Sequence, residues 1–381
     1  MSFLMYWTAG VLVLAVAWWF FRRPPVKAAP KRPIPAPRSS APTPRAAPPA
    51  PAAAPAARAP ALPPAEPLPG ELAGFHWLRE QDIDPARRDA LLSAFRGIPR
   101  PPRSMQKLLS PDFVAKAGSA ELSELVMGEP LIAAKVLSTV NSPMYGLRTP
   151  VTNIGHAVTF LGMNTVRSIC LQYMLAEAFK PKLAEAQRCF DAIWHASAIA
   201  SELCVRVGKA LNLPDVGNLS TQVVLSFVGQ LAAASLIPAT RLEQWHHQDR
   251  LQRARTEQEL LGLNASEIGS LLMKSWELPE SLIDEVCGVG RQLVTPLMVT
   301  DRARAPRFAL GYLCARLGER FALGELDSLD GYDPALDIAA DTHHLRASLA
   351  HPALARLDQA LSAPELQAAL DQMLGRVTTT A

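Results

Sequence analysis

Cysteine is scarce in this chain, with five in 381 residues and none paired as Cys-x-x-Cys. That excludes a small disulfide framework. There is no Gly-rich phosphate loop and no Gly-x-Ser-x-Gly elbow, so P-loop and α/β-hydrolase chemistry have no signature here. No Lys, Arg, Asp or Glu precedes Arg22. Beyond Glu71 the chain lacks the alternating pattern of half-buried strands. The same region also lacks a basic excess: residues 71–381 hold 30 basic and 34 acidic side chains. A net charge of −4 argues against a nucleic-acid-binding body.

What is present is unevenly spread. Of 34 prolines, 17 lie between Pro24 and Pro69. Residues 22–69 combine them with 15 alanines, eight basic residues and one acid, Glu66. Such a segment cannot bury a core and reads as a disordered Pro/Ala-rich linker. Extended as polyproline II it reaches at most ~150 Å. It is expected to act as a tether; the alternatives are contact of its basic residues with anionic lipid heads and a periplasm-spanning arm, which the charge rule opposes.

Before it, Phe3 to Phe21 form 19 uncharged, mostly apolar positions. As a helix these span ~28 Å, close to the ~30 Å hydrocarbon core. Trp7 lies near one end and Trp18 and Trp19 near the other, as interfacial aromatics do. A cleaved signal peptide is the rival reading, but it needs a basic residue before the apolar run. Here Arg22 and Arg23 follow it instead. The expectation is a single-pass anchor over 3–21 in a bacterial inner membrane. By the positive-inside rule the N-terminus lies outside and the body is cytoplasmic. Cys170, Cys189, Cys204, Cys287 and Cys314 are then expected as reduced core residues.

From Glu71 onward the period is helical. Val166, Ile169, Cys170, Tyr173 and Met174 make one apolar stripe, and Phe190, Ile193, Trp194, Ser197, Ala200, Cys204 and Val207 another, both at 3–4 spacing. Residues 221–236 are apolar almost all round and predict a central buried helix. Asn264 with Glu267 reads as a variant capping box. Ser362 to Glu365 reads as another helix start. The expected fold is all-α, with two packed lobes. The expected order is a lead-in over 71–96, a domain over 97–320 and a helical extension over 321–381.

Several motifs along 97–320 occur in a familiar order. They are Ile98-Pro99, Glu129-Pro130-Leu131, Asn141-Ser142 with Tyr145, and Ala157 with Leu161-Gly162. Trp194-His195 with Ser197, Ile268-Gly269, and Trp276 with Leu278-Pro279 continue the series. Together they resemble the HDOD domain of bacterial signalling proteins. Glu129 stands where that family usually has Asp. Pro130 suits a first helical turn, Asn141-Ser142-Pro143 a turn, and Gly162 a sharp bend.

The resemblance implies kinship with HD phosphohydrolases, whose metal is held by a His, a His-Asp doublet and a further Asp. That metal activates water and neutralises phosphate. Here His195 falls at the first position, Ser226 and Phe227 at the doublet, Ala265 at a later His and Cys314 near the final acid. One histidine cannot hold a metal, so no metal, cofactor or catalytic residue is expected. His195 is expected as a hydrogen-bonded core or cleft side chain. His246-His247 and His343-His344 diverge by about 100° if helical, so neither pair is a natural chelate, and both are expected as solvated surface.

Candidate partner or ligand contacts are Asn141, Ser142, Tyr145, Arg167, His195 and Trp276. For Asn141 a turn-forming role competes with ligand contact; for Arg167 an exposed helix face competes with anion contact. The expected function is a membrane-anchored, non-catalytic scaffold binding an unidentified signalling protein; the amphipathic residues 345–377 either pack on the body or serve as a further docking element. The alternatives are a nucleotide or small-molecule sensor using the degenerate cleft, and a divergent metal-dependent phosphohydrolase.

Overall fold

The helical period of the body is realised throughout. A computed structural model describes residues 67–101, 103–179, 181, 184–296 and 300–375, and among them there is no strand. The expected anchor over 3–21 and all but the last three residues of the linker over 22–69 lie outside the described residues.

The helices, in order, are α1 (Gly70–Ala73), α2 (Pro85–Phe95), α3 (Arg103–Leu109), α4 (Pro111–Lys116), α5 (Ser119–Met127), α6 (Pro130–Val140) and α7 (Ile154–Leu161). Next come α8 (Met163–Ala178), α9 (Ala184–Ala210), α10 (Val216–Ser226), α11 (Val228–Leu236), α12 (Ala239–His246) and α13 (Arg250–Leu261). The last are α14 (Ala265–Ser275), α15 (Glu280–Arg291), α16 (Ala305–Ala322), α17 (His343–Leu349), α18 (Leu357–Leu361) and α19 (Pro364–Met373).

Local chemistry sets many of the boundaries. Pro130 opens α6 and Pro279 immediately precedes α15, where a missing N–H breaks no helical bond. Gly162 takes φ +82° between α7 and α8, a conformation that favours glycine. The Asn264 side chain accepts the Glu267 N–H at 3.2 Å and caps α14. Glu267 does not reciprocate. Its carboxylate takes Trp77 Nε1 at 2.9 Å and pairs with Arg291 at 3.0 Å, tying the lead-in and α15 to this helix. Ser362 ends α18, and α19 starts at Pro364 without a side-chain cap.

The expected long helix over 221–236 is broken at Phe227 into α10 and α11. Val216–Leu236 is long and apolar enough to cross a membrane, but 78% of its most apolar window is buried within the protein. It is a core element. One hydrophobic cluster runs from Leu72 to Leu370, so the two expected lobes share a single core. The five cysteines are free and buried.

The extension packs onto that core through Leu345, Leu354, Leu357, Leu361, Leu366 and Leu370, all buried. Its apolar face is therefore covered by the body, the first of the two roles expected for it. His246 also departs from expectation. It is buried, and neither ring nitrogen has a hydrogen-bond partner. Burial first, then Arg253, pushes its pKa down to about 4. His344, half-buried, is lowered to about 4 by burial and by His343.

Candidate functional site

The junction of α10 with α11 and the start of α14 enclose a cavity of about 70 Å³. Ser226 and Ala265 both line it. Ser226 ends α10, and its hydroxyl donates to the Val223 carbonyl at 2.7 Å. Gly229, in the first turn of α11, lets α14 approach. Phe227 at the helix break is buried in the core. Cys314, in the middle of α16, is buried with its sulfur against Cys204. His195 is exposed on α9, and its Nε2 lies 3.3 Å from the Met373 carbonyl at the end of α19. So two of the five expected positions meet at the cavity. His195 is hydrogen-bonded, but it belongs to neither core nor cleft.

The polar groups that do converge there come mainly from α13, which sequence reading passed over. Arg250, Arg253 and Glu257 recur at 3–4 spacing and so share one helix face; that spacing was the available signal. All three line the cavity. Glu319 of α16 accepts Arg250 Nη2 at 2.7 Å, Arg250 Nε at 3.0 Å, Arg253 Nη2 at 2.5 Å and Gln230 Nε2 at 2.6 Å. Burial alone would raise this carboxyl, but the two guanidiniums outweigh it and hold the pKa down at about 2. Arg250 also lies over the Tyr312 ring at 4.7 Å.

Glu257 is the opposite case. Burial pushes its pKa up to about 7, against the Ala265 N–H, Arg253 and the Trp245 indole. A carboxyl titrating near neutrality could serve as a general acid or base. Here one oxygen already accepts Ala265 N–H at 2.5 Å and the other Trp245 Nε1 at 3.0 Å. Both are committed to holding α12, α13 and α14 together.

The remaining candidates lie elsewhere. The Asn141 amide donates to the Leu137 and Val151 carbonyls, each at 2.8 Å, and its oxygen accepts Val151 N–H at 2.7 Å. That clamp closes the turn of residues 141–151 and engages both ends of the side chain. Ser142 contributes backbone bonds to the same turn: its N–H to Thr139, its carbonyl to Tyr145. Tyr145 packs edge-on against Phe160 at 6.3 Å. Burial first, then Glu202, raises its pKa to about 12.

Trp276 is fully buried against Phe179, with no partner for its indole nitrogen; it is core, out of reach of any ligand. Arg167 is buried too, which overturns the exposed-face expectation. Its own apolar stem carries the guanidinium from α8 to Thr221 and Asn218 of α10.

The HDOD domain family model matches residues 98–288. The chain belongs to the HDOD domain family. It is similar to an HDOD domain protein of unknown function from Geobacter sulfurreducens, at 19% identity over 75% of this chain and 98% of that one, with a TM-score of 0.48. It is also similar to a Shewanella amazonensis SB2B protein named as a candidate phosphohydrolase, at 19% identity, 75% and 98% coverage and a TM-score of 0.49. A Marinobacter aquaeolei VT8 protein named as a candidate signal transduction protein aligns at 22% identity over 73% of this chain and 66% of that one, with a TM-score of 0.44. No curated protein matches.

The kinship with HD phosphohydrolases that the resemblance implies would call for a metal, and the residues described at the expected ligand positions do not fit one. Ser226 spends its hydroxyl on its own helix. Phe227 and Ala265 offer no side-chain donor. Burial raises the Cys314 thiol well above its ordinary pKa, whereas metal binding needs the thiolate. Among the described residues, no group of three or more His, Cys, Asp or Glu could hold a metal.

Proposed function

We propose that this HDOD protein is a membrane-anchored, non-catalytic signalling scaffold whose cytoplasmic body binds a protein partner. The observation that supports the reading is that Ser226 and Ala265 line a cavity whose two guanidiniums, Arg250 and Arg253, are already paired with Glu319. One carboxylate shared by two buried guanidiniums ties α13 to α16 in a rigid junction.

The anchor rests on the 19 uncharged residues before Arg22 and the tether on the proline-rich segment after it. The signalling role rests on membership of the HDOD family. A nucleotide sensor in the degenerate cleft is disfavoured by size. The cavity holds about 70 Å³, against the ~300 Å³ or more that drug-sized ligands occupy.

Two experiments test this reading. Full-length protein in detergent, supplied with manganese, should not hydrolyse p-nitrophenyl phosphomonoesters or phosphodiesters above the no-protein rate. Turnover that scales with protein would overturn the non-catalytic part. For the partner, a photo-crosslinking residue at Leu131 or Phe160, large apolar side chains left exposed, should give a discrete adduct with one protein in intact cells. Absence of any adduct from both positions would count against a scaffold.

A further inference from the structure

A second concavity, of about 530 Å³, opens beside α8, α10 and α15 and shares no lining residue with the degenerate cleft. Arg167 lines it and is only 6% exposed. Its guanidinium donates to Thr221 Oγ1 from Nη2 at 2.6 Å and from Nε at 3.3 Å, to Asn218 Oδ1 at 3.0 Å and to the Gly217 carbonyl at 3.4 Å. Every one of these acceptors is neutral. Buried guanidiniums are normally paired with a carboxylate; among the described residues Arg167 has none, and its Nη1 makes no protein hydrogen bond. Burial alone draws its pKa down to about 10, whereas a bound anion would raise it.

Gln222, one position beyond Thr221, lines the same groove and is 5% exposed. Its amide nitrogen faces the Glu285 carboxylate at 3.5 Å. That contact fixes the amide orientation, since the flipped form would set two acceptors together. The carbonyl oxygen is left buried with no donor. The groove therefore holds an unpaired buried cation and an orphan buried acceptor. Asp215, Asp284 and Glu285 are the acidic residues of the lining, with Arg304 paired to Glu285 at 3.2 Å.

We infer that this groove binds a small zwitterion of the α-amino-acid class, its carboxylate on Arg167 and its ammonium on Gln222 Oε1 and the carboxylate of Asp284. The charges select this class. A phosphate ester would meet three carboxylates around one free guanidinium. A purely cationic ligand would meet Arg167. A zwitterion satisfies both ends and supplies the donor that Gln222 lacks. The volume lies within the ~300–1,000 Å³ of small-molecule sites. The inference goes beyond the scaffold reading and stands without it.

The test is calorimetric titration of the full-length protein in detergent with each free L-amino acid. Any that binds is followed by its N-acetyl and C-amide derivatives, with acetate and methylamine as single-charge probes. At least one free amino acid should saturate one site per chain, and blocking either end should weaken it by about tenfold or more. Arg167→Gln should abolish binding. Because that change also removes the ties to α10, Asp284→Asn at the exposed rim provides the independent variant. It should weaken the same ligand several-fold while leaving the thermal transition in place. The inference is overturned if no free amino acid saturates, if blocked derivatives or acetate bind as well, or if Asp284→Asn leaves affinity unchanged.

Discussion

Gly229 meets Ala265 so closely that a Cβ on residue 229 would lie 1.8 Å from the Ala265 carbonyl oxygen. The obstacle is backbone, which cannot rotate away. It sits where α11 crosses the first turn of α14, and Gly269 makes the reciprocal approach from α14. This contact closes the degenerate cleft to about 70 Å³. Gly229→Ala should therefore separate the two helices and destabilise the body by about 3 kcal/mol, at the upper end of ordinary overpacking. Urea denaturation of the purified protein measures it. A change below about 0.5 kcal/mol, the level of a neutral surface substitution, would mean that the helices are not in this contact.

The second expectation concerns Glu319. Its side chain is 9% exposed, and those of Arg250 and Arg253 are 11% and 5% exposed. Glu319→Gln keeps the shape but leaves two buried guanidiniums without a counter-charge. Breaking such a buried set from one side costs about 3–5 kcal/mol. The loss should exceed that of Arg250→Met combined with Arg253→Met and Glu319→Leu, in which no uncompensated charge remains. Equal losses would argue that the network contributes packing alone.

Much of the fold was legible in the sequence because its signals are local. The Asn264 cap, Pro130 at a helix start and the Gly162 bend each depend on a few neighbouring residues, and each appears in the structure. The site was less so. Arg250 and Arg253 meet Glu319 across more than 60 residues of chain, and no pattern within α13 names that partner. Arg167, His246 and Trp276 were misplaced for one shared reason: burial of a polar or amphipathic side chain depends on which helix packs over it, and periodicity does not specify that.

Two buried groups titrate in opposite senses. His246 has a folded pKa of about 4 against an ordinary 6.5. The unfolded chain then binds more protons between those values, so this histidine's contribution is present above pH 6.5 and lost as pH falls towards 4. Glu257 has a folded pKa of about 7 against an ordinary 4.5. The folded chain then binds more protons, so its contribution is present below pH 4.5 and lost as pH rises through 7. Urea midpoints between pH 4.5 and 6.5 separate them. Relative to the unsubstituted protein, His246→Leu should rise less steeply with pH and Glu257→Gln more steeply. Parallel profiles would mean that neither group is buried as described.

Asn141 engages both ends of its amide in closing the 141–151 turn. Asn141→Ala should cost about 1–2 kcal/mol, the worth of one or two net hydrogen bonds. Hydrogen exchange at Val151 should accelerate in the variant. An unchanged exchange rate there would return Asn141 to the list of ligand contacts.

The most direct test of the non-catalytic reading is elemental analysis of the full-length protein, purified in detergent and dialysed against metal-free buffer. The expected result is iron, manganese and zinc all far below one equivalent per chain. Near-stoichiometric content of any of them, lost on chelation, would contradict the reading and would require a ligand set that Ser226, Phe227, Ala265 and Cys314 do not supply.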